Sequence, residues 1–261
     1  MYTHNLDPIL FEFGFISIRW YSLAYIFGIL IGWWLGKKIL IKKTNSTTSS
    51  LKEEFDNLIT YLIIGIILGG RLGYVFFYNL NFYLENPLQI LMVWEGGMSF
   101  HGALFGVVVT SFIFSKKNSI PLFLISDLLS ICAPIGIFFG RISNFINQEL
   151  IGRQTDFIIS IRYPGEEITR HISQLYEAIF EGMIPAIILI ILFLKKKTKY
   201  GILTAIFLIN YAITRFLIEF IRQPDTQLGL KLDFFTQGQI LTIPIFLLGF
   251  IILYKCQLKQ K

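Results

Sequence analysis

Two hundred and sixty-one residues would fill one large soluble domain or two small ones, but 54% of them are hydrophobic and only 15% charged, against roughly 25% charged in an average soluble protein. Aromatics reach 16%, with 26 Phe, so too few charges remain to cover the apolar bulk; an ordinary soluble domain is excluded and an integral membrane protein remains. The net charge of +6 does not argue for a nucleic-acid partner, because in a membrane protein Lys and Arg first report topology. Met1 to Phe15 carries Asp7 and Glu12 but no Lys or Arg. Without the basic n-region of a cleavable signal peptide, the first apolar segment is expected to stay as a membrane helix. A spanning helix takes about 20 mostly apolar residues, and seven such segments follow, at about 18–38, 56–78, 98–115, 120–141, 174–194, 200–221 and 236–255. The expected fold class is all-α: a single membrane domain over residues 1–261 with seven transmembrane helices. Residues 142–173 form its largest extramembrane segment.

Lysine sets the orientation. Lys37, Lys38, Lys42, Lys43 and Lys52 lie between spans one and two, and Lys116 and Lys117 between three and four. Lys195, Lys196, Lys197 and Lys199 lie between five and six, and Lys255, Lys259 and Lys261 at the end of the chain. Every second gap is thus lysine-rich, as cytoplasmic loops are, which predicts the N-terminus outside and the C-terminus in the cytoplasm. The eight arginines, Arg19, Arg71, Arg141, Arg153, Arg162, Arg170, Arg215 and Arg222, all fall in the outer half or outside. Placed against the topological bias, they point to an outward-facing anionic site, since a guanidinium binds phosphate or carboxylate through two parallel hydrogen bonds. For any one of them the alternative is an ion pair with Glu149, Glu166, Glu167, Glu177 or Glu219.

Three polar clusters stand at that level. Gly140-Arg141-Ile142-Ser143-Asn144-Phe145-Ile146-Asn147-Gln148-Glu149 closes span four, with Gly152 just beyond. If the helix continues, Arg141, Asn144 and Gln148 share a face; ionisable groups at the end of a span default to function. In span six, Tyr211, Arg215, Glu219 and Arg222 make one stripe, in which Glu219 can pair with either arginine, and Pro224 is expected to end the helix. The third cluster, Trp94-Glu95-Gly96-Gly97-Met98-Ser99-Phe100-His101-Gly102-Ala103, has glycines that admit a ligand or a neighbouring helix. It also holds His101, the one histidine placed inside a span, and an ordinary imidazole pKa of about 6.5 suits proton transfer. Tyr21, Tyr74 and Trp94, taken singly, read as interface-belt aromatics. Asp56 and Asp127 read as acids at helix N-termini. Cys132 and Cys256 have neither disulfide context nor metal-ligand spacing.

Together these strings resemble the prolipoprotein diacylglyceryl transferase family, from about Asp7 to Leu253. The resemblance is carried by Gly140 to Glu149 with Gly152, and by Gly97-Met98-Ser99-Phe100-His101-Gly102. It extends to Ser173-Gln174-Leu175-Tyr176-Glu177 and to Arg215-Phe216-Leu217-Ile218-Glu219-Phe220 followed by Arg222-Gln223-Pro224-Asp225. Two positions depart: Ala103 stands where the family usually has a second Gly, and Ile172 where Pro commonly precedes the Ser-Gln-Leu-Tyr-Glu string. The resemblance implies an enzyme of the bacterial inner membrane, with its active site toward the outer side. Such enzymes transfer the diacylglyceryl group of phosphatidylglycerol to the lipobox cysteine thiol of a prolipoprotein, and glycerol 1-phosphate is released. No cofactor is implied. By position, the resemblance links Arg141, Arg215 and His101 to catalysis, and Tyr21, Asn144, Glu149, Gly152 and Tyr211 with those arginines to substrate binding. Glu219 and Arg222 are added to the binding set from the stripe they share. His101 is left with two roles, base for the thiol or group that orients the substrate.

Other classes fit less well. An anion transporter would carry polar or broken helices through mid-membrane, whereas these clusters stop in the outer half. A retinal protein needs a lysine midway along span seven, and Leu241–Leu253 has none. An intramembrane serine protease needs Ser and His on facing helices, and Ser99 and His101 are two residues apart on one.

Overall fold

The computed structural model describes residues 2–13, 16–42, 51–195, 198–224, 230–231 and 234–258. Lys43, Lys196, Lys197, Asp225, Lys259 and Lys261, named above, lie outside them. Helices stand at all the predicted spans: α1 Trp20–Lys42, α2 Phe55–Tyr78, α3 Phe100–Lys117 and α4 Leu122–Ile146, then α5 Ser173–Leu194, α6 Ile202–Ile218 and α7 Gln237–Leu258. α1, α2, α4, α5 and α7 are long and apolar enough to cross a membrane, whereas α3 and α6 are shorter, at 18 and 17 residues. The chain is a polytopic membrane protein. Two compact units are present, one of Met1–Ile39 with Asp127–Lys261 and one of Leu40–Ser126.

In the Leu40–Ser126 unit, α2 and α3 pack along a stripe without side chains. Gly65, Gly69 and Gly73 repeat every four residues on α2, and Gly102 and Gly106 do so on α3, so each set lies on one helix face. A Cβ at Gly106 would fall inside the van der Waals envelope of the Gly65 carbonyl oxygen, and one at Gly102 inside that of Gly69. The two backbones therefore touch, the close approach that small residues permit in membranes.

In the larger unit, α6 packs against α7, and α1 approaches α4 where Gly28 meets Gly136. Asp127 was expected as an acid at a helix N-terminus; it lies in the second turn of α4, whose first turn carries no acid, and it serves the N-terminus of a neighbouring helix instead. Its carboxylate accepts from Gly201 N and Thr204 N, each at 2.8 Å, and from Thr204 Oγ1 at 2.7 Å, which caps α6. Within α5, Ala178–Met183 is wound as a π-helix, a form that recurs at functional sites.

The all-α expectation omits three small sheets. Ser160–Arg162 pairs in parallel with Tyr2–Thr3 and antiparallel with Arg170–His171. Ile9–Phe13 forms a hairpin with Ile16–Arg19, and Leu230–Lys231 pairs with Phe235–Thr236. Strands of two to five residues are too short to print an alternating pattern in sequence.

Two helix ends also differ from expectation. α4 runs on to Ile146 but stops there, and Gln148 and Leu150 adopt positive φ of 59° and 54°. Gln148 therefore leaves the helical face shared by Arg141 and Asn144. α6 ends at Ile218, before Pro224 is reached. The cause is tertiary: Arg153 N donates to Ile221 O at 2.8 Å and Gln223 N to Ile151 O at 3.0 Å, so the chain after α6 pairs with the segment after α4.

Candidate active site

Arginines from two helices and the turn after α6 meet glutamates of α5 in the larger unit. Glu177 has no exposed side-chain surface, and its carboxylate contacts three guanidinium groups: Arg141 Nε at 3.1 Å, Arg215 Nη1, and Arg222 Nη1 at 3.5 Å. Glu181, also wholly buried, takes Arg141 Nη2 at 3.2 Å and lies 3.8 Å from Arg215 Nη1. Glu219 closes the set, 2.8 Å from Arg215 Nη2 and accepting from Thr236 Oγ1 at 3.0 Å. Three cations thus face three anions. Burying either kind alone would cost several kcal/mol, about 3–5 when one partner of such a pair is removed. The side chains of Arg141 and Arg215 keep 17% and 12% of their surface, while the carboxylates fix the plane of each guanidinium.

Two acids of α5 reach this place at i,i+4 spacing. Glu177 precedes the π-helical segment and Glu181 lies inside it, one turn further on. Gly182 lets α5 press on α4, since a Cβ there would sit 2.8 Å from Phe138 Cα. Tyr211 stands one turn before Arg215 on the same face of α6.

A second group sits where α4 ends. Asn144 Nδ2 donates to Glu149 Oε2 at 2.9 Å and Asn147 Nδ2 to Glu149 Oε1 at 3.2 Å. The ion-pair partners of Arg141 are Glu177 and Glu181. Tyr21 feels the charges of both Glu149 and Arg141, and its hydroxyl is 3.1 Å from that of Tyr25. Gly152 bridges to Arg222, and a Cβ on it would strike the His171 backbone. Behind this turn Gln174 Nε2 donates to Glu149 O at 2.6 Å and to the Tyr163 hydroxyl at 3.1 Å. Burial pushes that hydroxyl above its ordinary pKa, so it stays neutral.

His101 belongs to the Leu40–Ser126 unit. It is exposed on the first turn of α3 and lines a cavity of about 1000 Å³ with Gly69, Gly73, Phe76, Ser99 and Phe105. The helix starts at Ser99, whose hydroxyl accepts from Gly102 N at 3.2 Å.

The expectation that arginines collectively mark an anion site narrows considerably. Arg170 is engaged bidentately by Glu166, at 2.6 and 2.8 Å, which holds its pKa above the ordinary guanidinium value. Arg153 Nε donates to Arg222 O at 3.0 Å, and Arg71 is committed to backbone carbonyls described below. Arg141, Arg215 and Arg222 form the convergent set. Sequence reasoning missed Glu181. Its signal was available, an acid about two turns into an apolar span and four residues after Glu177.

Comparison with known proteins places these motifs. The sequence model described as prolipoprotein diacylglyceryl transferase matches residues 8–255. A protein of Rickettsia typhi named phosphatidylglycerol–prolipoprotein diacylglyceryl transferase is 46% identical over 264 residues, covering 100% of both chains. Proteins of the same name from Rickettsia bellii and Ehrlichia canis are each 44% identical, over 259 and 261 residues; they cover 98% of this chain and 97% and 98% of their own. The chain therefore belongs to the prolipoprotein diacylglyceryl transferase family and is a transferase.

Proposed function

We propose that the protein transfers the diacylglyceryl group of phosphatidylglycerol to the lipobox cysteine thiol of prolipoproteins, in a bacterial cytoplasmic membrane and toward its outer side. The thiolate sulfur attacks the glyceryl carbon that bears the phosphate. A C–S thioether bond forms, the C–O bond to phosphate breaks, and glycerol 1-phosphate leaves with the electron pair. The thiol proton passes to a base.

The observation that carries this reading is the convergence of Arg141 and Arg215, from two helices, on the wholly buried Glu177. Held in plane by carboxylates, the partly exposed guanidinium groups offer their remaining N–H donors to a phosphodiester, and the same donors stabilise the charge that gathers on the leaving phosphate. Glu219 and Arg222 keep Arg215 and Glu177 in register. Tyr211 and Tyr21 supply hydroxyls to the headgroup. Asn144 holds Glu149, and Gly152 lets the following backbone close in. His101 takes the thiol proton; a free thiol of pKa about 8.5 is only a few per cent ionised at pH 7, so a base accelerates attack. The apolar cavity beside it, walled by Leu68, Leu72, Phe76, Phe105 and Val109, suits an acyl chain.

The test is to incubate purified protein with labelled phosphatidylglycerol and a lipobox peptide. Label on the peptide in a thioether, with glycerol 1-phosphate in equal amount, is expected. Label that moves without the peptide thiol would sink the assignment.

A further inference from the structure

Arg71 is the buried cation outside the cluster, in the Leu40–Ser126 unit, and its partners are backbone carbonyls. Only 4% of it is exposed. Its Nε donates to Ile90 O at 2.9 Å, Nη1 to Gly96 O and, at 3.2 Å, to Gly97 O, and Nη2 to Gln89 O at 2.5 Å and Met92 O at 3.1 Å. The Tyr83 ring lies 5.1 Å from its guanidinium carbon. All five carbonyls belong to the connection between α2 and α3, which is wound as short 3-10 turns at Pro87–Leu91 and Val93–Glu95. Gln89 O and Met92 O also accept from Met92 N and Glu95 N within these turns; turn ends carry partial negative charge, and a planar five-donor fork gathers all five carbonyls together. Arg71 lies seven residues before the end of α2 at Tyr78, about 10 Å along the axis, so the connection folds back along the helix.

That fold-back ends at the start of α3. Ser99 N donates to Gly70 O at 2.8 Å, so consecutive residues of α2 hold residues 96, 97 and 99. His101 follows two residues later. Among the described residues, no hydrogen bond or ion pair holds its imidazole. The placement of His101 then depends on how the backbone enters α3. The Gly102 and Gly106 contacts hold the same helix to α2, so the lock at Arg71 and the glycine stripe together fix the start of α3.

We infer that Arg71 is a positioning residue for His101: its guanidinium locks the Gln89–Gly97 backbone and thereby sets where the imidazole stands at the mouth of the apolar cavity. The inference rests on the role given to His101 above. Misplacement of a reacting group by about 1 Å can cost on the order of a hundredfold, so the lock matters for rate more than for lipid binding.

The experiment is a double-mutant cycle on the full-length protein with phosphatidylglycerol and a lipobox peptide. It is run alongside spectra of the protein labelled with 15N-histidine in micelles. Arg71→Lys keeps the charge but loses the fork; kcat is expected to fall about ten- to a hundredfold with the lipid KM within about twofold. Added to His101→Asn, it should cost less than about a further twofold, because the group being positioned is already gone. In the spectra, the His101 signal moves while those of His4 and His171 stay. Gly97→Ala disturbs the same lock without replacing Arg71, since Gly97 has φ of 77° and its Cβ would sit 2.7 Å from Tyr74 Cε1 and 2.9 Å from Arg71 Nη1, and it should reproduce the pattern. Losses that multiply in full, or an unmoved His101 signal in both variants, would overturn the inference. A parent protein that makes no thioether overturns the functional reading instead, and the spectra alone then decide whether Arg71 places His101.

Discussion

Arg215 is engaged on both terminal nitrogens, by Glu177 and Glu219, so its geometry is set before any lipid arrives. Arg215→Lys leaves a positive charge in place but cannot bridge both carboxylates and offer a remaining N–H donor to phosphate. Turnover is expected to drop by about 10²–10³, the range for losing one preorganised donor; steady-state kinetics with near-normal kcat would reduce the residue to its net charge. Glu149→Gln keeps an acceptor for the Asn144 amide and should insert and fold at parental levels while losing most activity. Parallel losses of protein and activity would assign Glu149 to the fold alone. For His101, replacement by Asn separates base from positioning. At low pH few substrate thiols are ionised and the base matters most; raising the pH through about 8.5 supplies thiolate from solution. The expected pH–rate profile of His101→Asn therefore climbs toward the parent with rising pH. A profile parallel to the parent's, or flat inactivity, would speak for positioning.

Among the elements, the α2–α3 pair is the one whose packing tolerates least. Gly106→Ala would drive a methyl into the Gly65 carbonyl, and backbone cannot swing aside as a side chain can. Overpacking of this kind costs about 1–3 kcal/mol or more, so a lower thermal midpoint is expected, together with displacement of α3 and its His101. Unchanged melting would mean the helices part easily. The glycines at 102 and 106 were legible as points of close approach, but their partner was not: Gly65, Gly69 and Gly73 gain meaning only once α2 is seen opposite. Helix positions were legible from apolar run length, and Arg215 with Glu219 from their four-residue spacing. Helix ends were not, because the end of α6 is decided by pairing with residues 151–153, some seventy positions earlier. Glu177 was readable as a partner for arginine, though not as the hub of three, since that depends on α4, α5 and the turn after α6 meeting in space.

For the molecule as a whole, lysine placement carries the orientation. Helix positions agree with the predicted spans, so the lysine-rich gaps still alternate along the chain. A reporter fused after Lys261 is expected to be active only when cytoplasmic markers are; periplasmic activity would invert the placement of the whole site. The cluster around Glu177 also bears on biogenesis. Its charges are distributed along the chain in an order that delays their neutralisation: Arg141 on α4, both buried acids on α5, then Arg215, Glu219 and Arg222 on and after α6. When α5 leaves the translocation machinery, it brings two carboxylates while only one of the cluster's three arginines has been made. A charged group at mid-helix costs a few kcal/mol on insertion scales. The nascent chain therefore holds an unbalanced acid in the bilayer until α6 is made. Synthesis halted between α5 and α6 would leave a species that quality-control proteases can recognise by that orphaned charge.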